Sequence, residues 1–360
     1  MRIAVWNTAF LGDALLTLPL IQAIKQHFPQ AKIDYYVRKG LKELFIEHPD
    51  LEKVFEVDKT KKSFLGFCPL RSFKKIRALG QKIAERKYAI WVSAHTSLRS
   101  TLIAELSAAP IKIGYDSGIL SRLVYTHTVQ RRFNSLEEIE RLLQLAKPLG
   151  INDFTPETAW PLLSLPATAN NRAAAIWQDK VKGPVLGLHP GSVWPTKRWP
   201  AEYFAQTARL AAENGAQVML FCGPGEEEQA RQVKNLSGLG PEQLIDLSGQ
   251  LNLPELAACI ERLDCYLTND SGPMHMAWAL KTPTIAIFGP TTRALGFFPR
   301  GEDSRVLEVN LRCRPCGLHG HKKCPKKHHN CMREILPDQA WQAVAEKLSR
   351  KSESFNDNQL

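Results

Sequence analysis

Short, β-rich apolar runs alternate with helix-patterned segments along almost the whole chain, and this alternation leaves few folds open. "RIAVWN", "KIDYYV", "KVFEV", "AIWVSA" and "IKIGY" read as strands, with helical spacing over Leu15–Phe28, Lys42–His48, Phe73–Arg86 and Leu98–Ala108 between them. A second series follows: "PVLGLHP", "QVMLFCG", "LIDLSG", "CYLTN" and "TIAIFG", with helices near Ala201–Asn214, Glu226–Asn235, Pro254–Leu263 and Met274–Leu280. Such alternation builds parallel sheets through right-handed crossovers. Pro19 falls inside the first helix and must kink or delay it. Between the two series, Asn152–Lys182 is spaced poorly for burial and reads as a linker with some helix at its end. The expected architecture is therefore α/β, with two doubly wound domains facing each other across a central cleft. No repeat of solenoid length is present, and only the tail "KSESFNDNQL" reads as disordered.

At 360 residues the chain is long enough for two such cores, and its 44% hydrophobic and 23% charged content is that of a globular protein. No apolar run approaches the roughly 20 residues that span a bilayer. Asp13 interrupts the first apolar stretch, which argues against a signal peptide and makes the cytoplasm the expected location. The net charge of +11 is concentrated between Asp58 and Lys87, where ten Lys and Arg face two carboxylates. Phe64, Leu65, Phe67, Phe73 and Ile76 are threaded among them. A basic, apolar-threaded segment suits an anionic membrane surface or an acidic acceptor; clustered cations also attract nucleic acid, and the plain reading is a solvated helix face.

Three strand-to-helix turns carry candidate chemistry. In "FLGDALLTLP" a carboxylate, Asp13, stands just after the first strand; it reads either as a helix cap or as a group facing a ligand crevice. In "HPGSVWPTKRWP", Gly191 permits a tight path, Ser192 offers a hydroxyl, and Lys197 is either an exposed lysine or a group that reaches an anion. In "TNDSGPMHMAWAL", Asp270, Ser271, Gly272 and Pro273 open a helix that carries His275. Its first-turn N–H groups and positive end suit a diphosphate, while His275 reads as a donor-loop group or a packing histidine. No GxGxxG or P-loop pattern occurs, and no Asp-x-Asp pair is available to hold Mg²⁺ against a nucleotide diphosphate.

"LGD" with "TLP", "PGSVWPTKRWP" and "NDSGPMHMAWAL…PTIAIFGPT", in that order, resemble the bacterial ADP-heptose:lipopolysaccharide heptosyltransferases of glycosyltransferase family 9. The likeness covers essentially the whole chain, and "PGSVWPTKRWP" is most similar to the heptosyltransferase II branch. It implies a GT-B fold: an acceptor-binding Rossmann-like domain over 1–160, a linker over 161–182, a nucleotide-sugar domain over 183–335, and a C-terminal helix and tail over 336–360. By the same resemblance Asp13 is the catalytic base, which takes a proton from an acceptor hydroxyl as it attacks the anomeric carbon opposite ADP. Lys197 contacts the donor diphosphate and balances it as it leaves. Gly191, Ser192, Asp270, Ser271, Gly272 and His275 line the donor site, joined by Glu226 from "GPGEEE". Gly12, Arg99, Lys61 and Lys62 fall on the acceptor side. The implied partners are ADP-heptose, a lipopolysaccharide core acceptor and the anionic inner face of the cytoplasmic membrane, with no metal required for catalysis and no nucleic acid. Heptosyltransferase I, or another family-9 sugar transferase, is the neighbouring reading; a nucleotide-sugar epimerase on a similar fold is a further one.

Segment 312–332 holds Cys313, Cys316, Cys324 and Cys331 together with four histidines. Its CxxC half is typical of a zinc knuckle and four thiolates would complete a tetrahedral structural site, although the Cys-x6-Cys half is loosely spaced. The other readings are free or redox-labile thiols, which a reducing compartment favours, and a basic loop that contacts acceptor phosphates. Charge and this loop together also raise a different class, a zinc-dependent nucleic-acid-binding protein, for which two complete α/β domains would have no use.

Overall fold

The computed structural model describes residues 1–58, 69–154 and 160–357. The chain divides into two units, Met1–Ser164 and Leu165–Leu360. In the first, β1 (Arg2–Asn7), β2 (Lys32–Arg38), β3 (Lys53–Val57), β4 (Ile90–Ser93), β5 (Ile111–Tyr115) and β6 (His127–Val129) form a parallel sheet of order β3-β2-β1-β4-β5-β6. In the second, β7 (Val185–His189), β8 (Gln217–Leu220), β9 (Leu244–Asp246), β10 (Cys265–Asn269), β11 (Thr284–Phe288) and β12 (Ser304–Glu308) repeat the order as β12-β11-β10-β7-β8-β9. The expected α/β architecture of two doubly wound halves is thus present. In each sheet the strand order reverses between the first and fourth strands, β1/β4 and β7/β10. Crevices for ligands open at such switch points, beyond the carboxyl ends of the strands.

The central strands are apolar without alternation because helices cover both faces. Ile3, Ala4, Val5 and Trp6 of β1 are fully buried, as are Ile285, Ala286 and Ile287 of β11. Each large aliphatic or aromatic side chain so buried contributes about 1.5–3 kcal/mol. Trp6 lies against Tyr36 and Trp91 at centroid separations of 5.7 Å, and its Nε1–H donates to Ser100 Oγ.

Three local expectations are revised. The first helix starts at Leu11, not Leu15, and breaks at Thr17 into Leu11–Leu16 and Leu18–His27. Pro19 sits in the first turn of the second piece, where its missing N–H is tolerated. The Asp13 carbonyl accepts from the Thr17 hydroxyl at 2.8 Å and from Asn7 Nδ2 at 3.1 Å, so the break leaves it satisfied. Residues 161–182, read as a linker with some helix at its end, are mostly helix, Ala167–Lys180, which packs on helix Leu253–Glu261 within the second unit. Its buried stripe is Ala169, Ala173 and Ile176, too small to stand out as an apolar pattern. The last helix, Pro337–Asp357, runs through most of the tail read as disordered.

Candidate functional site

Each proposed catalytic or donor residue stands in a turn after β1, β7, β8 or β10. After β1, Asp13 occupies the third position of helix Leu11–Leu16 and Phe10 the cap position, so Asp13 is not the N-cap itself. Its Oδ2 accepts the Phe10 N–H at 3.1 Å, and the neighbouring Gly12 belongs to the same first turn. Buried Asn7 ties the turn together by accepting the Ala9 N–H and donating to the Asp13 carbonyl and Thr17 Oγ1. Arg38 lies over the Phe10 ring at 5.0 Å. The carboxylate of Asp13 is close enough to Glu138 to act on it: burial pushes the Glu138 carboxyl up and Asp13 adds to this, while Arg131 and Arg141 oppose it.

That Glu138 belongs to a cluster that no sequence motif marks. Its carboxylate takes Arg131 at 2.5 Å and fully buried Arg141 at 2.9 Å. Arg131 also reaches Thr96 Oγ1 after β4 and stacks on Tyr115 at the end of β5, 5.3 Å from the ring centre. In sequence these residues lie in "VQRRFNSLEEIER", which has the look of an ordinary charged surface. Arg99 donates to the Asp58 carbonyl at 2.9 Å and burial lowers its pKa. Lys61 and Lys62 lie outside the described residues.

In the second unit the turns after β7 and β10 are bound to each other by Asn269, which is fully buried. Its Nδ2 donates to the Pro190 carbonyl at 2.8 Å and to the Gly191 carbonyl at 3.3 Å, and its Oδ1 accepts the Trp199 N–H. Lys197 is not an exposed lysine: it is 9% exposed, and its Nζ lies 2.6 Å from Asp270 Oδ2. The Thr291 hydroxyl donates to the same oxygen at 2.5 Å. Ser192 is also buried, its carbonyl held by Arg198 Nε at 2.8 Å.

Ser271 has the extended backbone of an N-cap for helix Gly272–Ala279, yet its hydroxyl caps no N–H of that helix. The first-turn N–H groups therefore take no cap from Ser271, and the positive end of the helix lies at this turn. His275 in this turn is 5% exposed; burial lowers its pKa to about 4, with Asp270 opposing and Lys197 adding to the shift. It is neutral at pH 7, and its Nδ1 has no hydrogen-bond partner within the protein.

Of the three glutamates in "GPGEEE", Glu226 is the one that meets the β7 turn. Its Oε2 lies 3.2 Å from His189 Nε2 and accepts the Gly223 N–H at 3.0 Å. Burial resists its ionisation, but His189, the Gly223 N–H and Arg198 outweigh this and hold the carboxyl below its usual range. The carboxylate lies so close over Gly191 that a Cβ there would stand 1.9 Å from Oε2, which explains the glycine.

The four cysteines lie in one neighbourhood, where Cys316, Cys324 and Cys313 add to the burial that raises the Cys331 thiol. Among the described residues no group of three or more His, Cys, Asp and Glu side chains is placed to hold a metal ion. Cys331 is packed in the core beside Met332 and Ile335, where burial pushes its thiol up to about 11. Cys316 Sγ donates to the Cys313 carbonyl, and Cys313 Sγ lies 4.0 Å from His328 Nε2.

Comparison with known proteins identifies the family. Residues 76–328 match the family model for glycosyltransferase family 9 (heptosyltransferase). The match runs through Cys313, Cys316 and Cys324, so that segment is part of a glycosyltransferase domain and not a separate nucleic-acid-binding module. The chain is 26% identical over 343 residues to lipooligosaccharide heptosyltransferase 2 of Campylobacter jejuni, covering 94% of this chain and 95% of the relative. It is 27% identical over 362 residues to lipopolysaccharide heptosyltransferase 2 of Salmonella typhimurium, covering 98% and 99%. The solved ADP-heptose lps heptosyltransferase II of Escherichia coli superposes with a TM-score of 0.78 at 23% identity, over 98% of this chain and all of that one. The fold is therefore the GT-B fold of these enzymes. The chain belongs to glycosyltransferase family 9.

Proposed function

We propose that the protein transfers heptose from ADP-heptose to the inner core of lipopolysaccharide, as a heptosyltransferase II. The relatives of that name, matched over nearly their whole length, support the substrate pair. The observation that carries the chemistry is the buried Lys197, aimed by Asp270 and Thr291 beside the uncapped start of helix Gly272–Ala279. An ammonium has three N–H donors and Asp270 takes one, leaving others for a diphosphate. Asp13 takes the proton of the acceptor hydroxyl as its oxygen bonds to the anomeric carbon. The bond to ADP breaks on the opposite face, giving inversion, and Lys197 with the helix end balances the charge left on the diphosphate. Glu226 and His275 complete the donor side. No residue in this scheme needs a metal, so activity is expected to persist in EDTA. Incubation with ADP-heptose and defined truncated cores, followed by mass analysis of the products, tests the reading. A heptose added only to a core that already carries one heptose is the expected result; no transfer to any core would overturn it.

The acceptor is amphiphilic, and we place the enzyme peripherally on the anionic inner face of the cytoplasmic membrane. No helix among the described residues is long and apolar enough to cross a membrane. Helix Pro69–Ala84 turns Ile76, Leu79 and Ile83 toward the core, so Ile76 is not a lipid contact, and exposes Lys74, Lys75, Arg77 and Lys82. Phe64, Leu65 and Phe67 lie outside the described residues, as does the side chain of Phe73. Exposed aliphatic side chains lie on the next two helices instead. Helix Leu98–Leu106 packs against both 69–84 and Ile119–Val124; on these, Leu98 is 67%, Ile119 79% and Leu123 78% exposed. Basic residues near an anionic surface contribute about 1 kcal/mol each, and aliphatic side chains in the interface add to it. Reversing Lys74, Lys75, Arg77 and Lys82 to Glu is expected to weaken co-sedimentation with phosphatidylglycerol vesicles at low salt by at least ~10²-fold. Turnover of a short, water-soluble acceptor should survive. Equal binding by both proteins would reduce this face to a solvated one.

A further inference from the structure

The Cys- and His-rich segment takes no part in the chemistry above, yet it grips both sides of the Lys197–Asp270 pair. On the lysine side, the Thr196 N–H and hydroxyl donate to the His321 carbonyl at 3.2 and 3.0 Å, and Thr196 Oγ1 accepts the His321 N–H at 2.7 Å. His329 Nε2 lies 2.8 Å from the Thr196 carbonyl. The rings of Trp194 and His319 are parallel to within 7° at 6.2 Å. Gly320 comes so near that a Cβ there would stand 2.6 Å from Trp194 Cβ and 3.0 Å from Lys197 Cγ. On the aspartate side, Arg314 donates to the Phe288 and Thr291 carbonyls at 3.0 and 2.8 Å and also to those of Gly289 and Val309, while the Cys316 N–H donates to the Pro290 carbonyl. Thr291 is the residue whose hydroxyl holds Asp270.

We infer that segment 313–331 is a clamp that sets the reach of Lys197 toward the donor diphosphate, with Thr196 as its positioning residue. The inference rests on the donor role proposed for Lys197. A buried lysine with a flexible four-carbon stem has many rotamers, and its aim depends on the backbone turn that carries it. That turn, Pro195–Lys197, is one short 3-10 element whose buried side faces the clamp, and Thr196 is 5% exposed. Loosening it displaces the ammonium without removing it, and a displacement of about 1 Å costs on the order of 10²-fold in a preorganised site.

A double-mutant cycle tests this. Thr196→Val keeps the bulk and removes the hydroxyl; it is expected to lower kcat and raise the ADP-heptose KM, together costing roughly 10- to 100-fold in kcat/KM. The acceptor KM should barely move, the melting temperature should fall modestly because the His321 N–H loses its acceptor, and Thr196→Ser should restore the rate. Made in a Lys197→Ala background, Thr196→Val should cost little more, because residues acting as a unit are not additive. Full additivity, or wild-type kinetics for Thr196→Val while Lys197→Ala is impaired, would overturn the clamp and leave the role of Lys197 standing. Wild-type kinetics for Lys197→Ala would overturn that role and the clamp with it. Should Thr196→Val fail to fold, His329→Ala removes only the bond to the Thr196 carbonyl. Through the same cycle, its non-additivity with Lys197→Ala would support the clamp and its additivity would overturn it.

Discussion

Replacing Asp13 by Asn is expected to cut turnover by about 10²–10⁴-fold, the usual contribution of a general base, while ADP affinity and melting temperature stay near those of the native enzyme. The substitution is chosen for what it keeps. An amide oxygen can still accept the Phe10 N–H that Asp13 Oδ2 accepts at 3.1 Å, so the entry to helix Leu11–Leu16 survives. The Asp13 carbonyl is held by Asn7 and Thr17 whatever the side chain is. What Asn lacks is a proton acceptor. Steady-state kinetics with ADP-heptose and a truncated core, alongside ADP titration and thermal melting, make the comparison. Native turnover in Asp13→Asn would reduce this carboxylate to a structural group at the start of a helix.

The buried strands were legible because a parallel strand covered on both faces has to be apolar throughout, as "RIAVWN" and "TIAIF" are. The two strands passed over, His127–Val129 and Ser304–Glu308, lie at the sheet edges and are largely half-buried or exposed, so their sequences carry no such run. Turns were legible for a related reason. Gly191, Pro273 and the Asp270–Ser271 pair are backbone-determining residues whose effect is local, and they marked where two strands hand over to helices. What the turns contain was harder. Lys197 taken alone reads better as a solvated lysine, and only the fold brings Asp270 and Thr291 to it from 73 and 94 positions away. Thr196 and His321 are 125 positions apart, and the Arg131–Glu138–Arg141 cluster looks like a charged helix surface until Tyr115 and Thr96 are folded against it. The cysteine spacing suggests a metal knuckle; what it does not reveal is that Cys331 packs into the core and that the loop docks on Thr196.

Lys197→Ala is expected to lower kcat as well as raise the donor KM, with a combined loss of about 2.7–4 kcal/mol, or roughly 10²–10³-fold in kcat/KM. The split between the two constants carries the argument. An ammonium that merely bound ADP-heptose would stabilise ground and transition states alike, and its loss would appear in KM alone. Negative charge grows on the diphosphate as the glycosidic bond to ADP stretches, so a lysine held in place by Asp270 at 2.6 Å gains interaction as the reaction proceeds. Removing the lysine also strands a carboxylate: Asp270 is 6% exposed and would keep only the Thr291 hydroxyl. A buried charge deprived of its partner costs about 3–5 kcal/mol, so some loss of melting temperature is expected with Lys197→Ala. Lys197→Ala combined with Asp270→Asn removes both charges and separates the effects. It should regain most of the stability and none of the kcat. Native kcat in Lys197→Ala with only a raised KM would deny the lysine its place in the transition state. Strict dependence of the native enzyme on Mg²⁺ would show that the departing diphosphate is balanced by something other than Lys197 and the helix beside it.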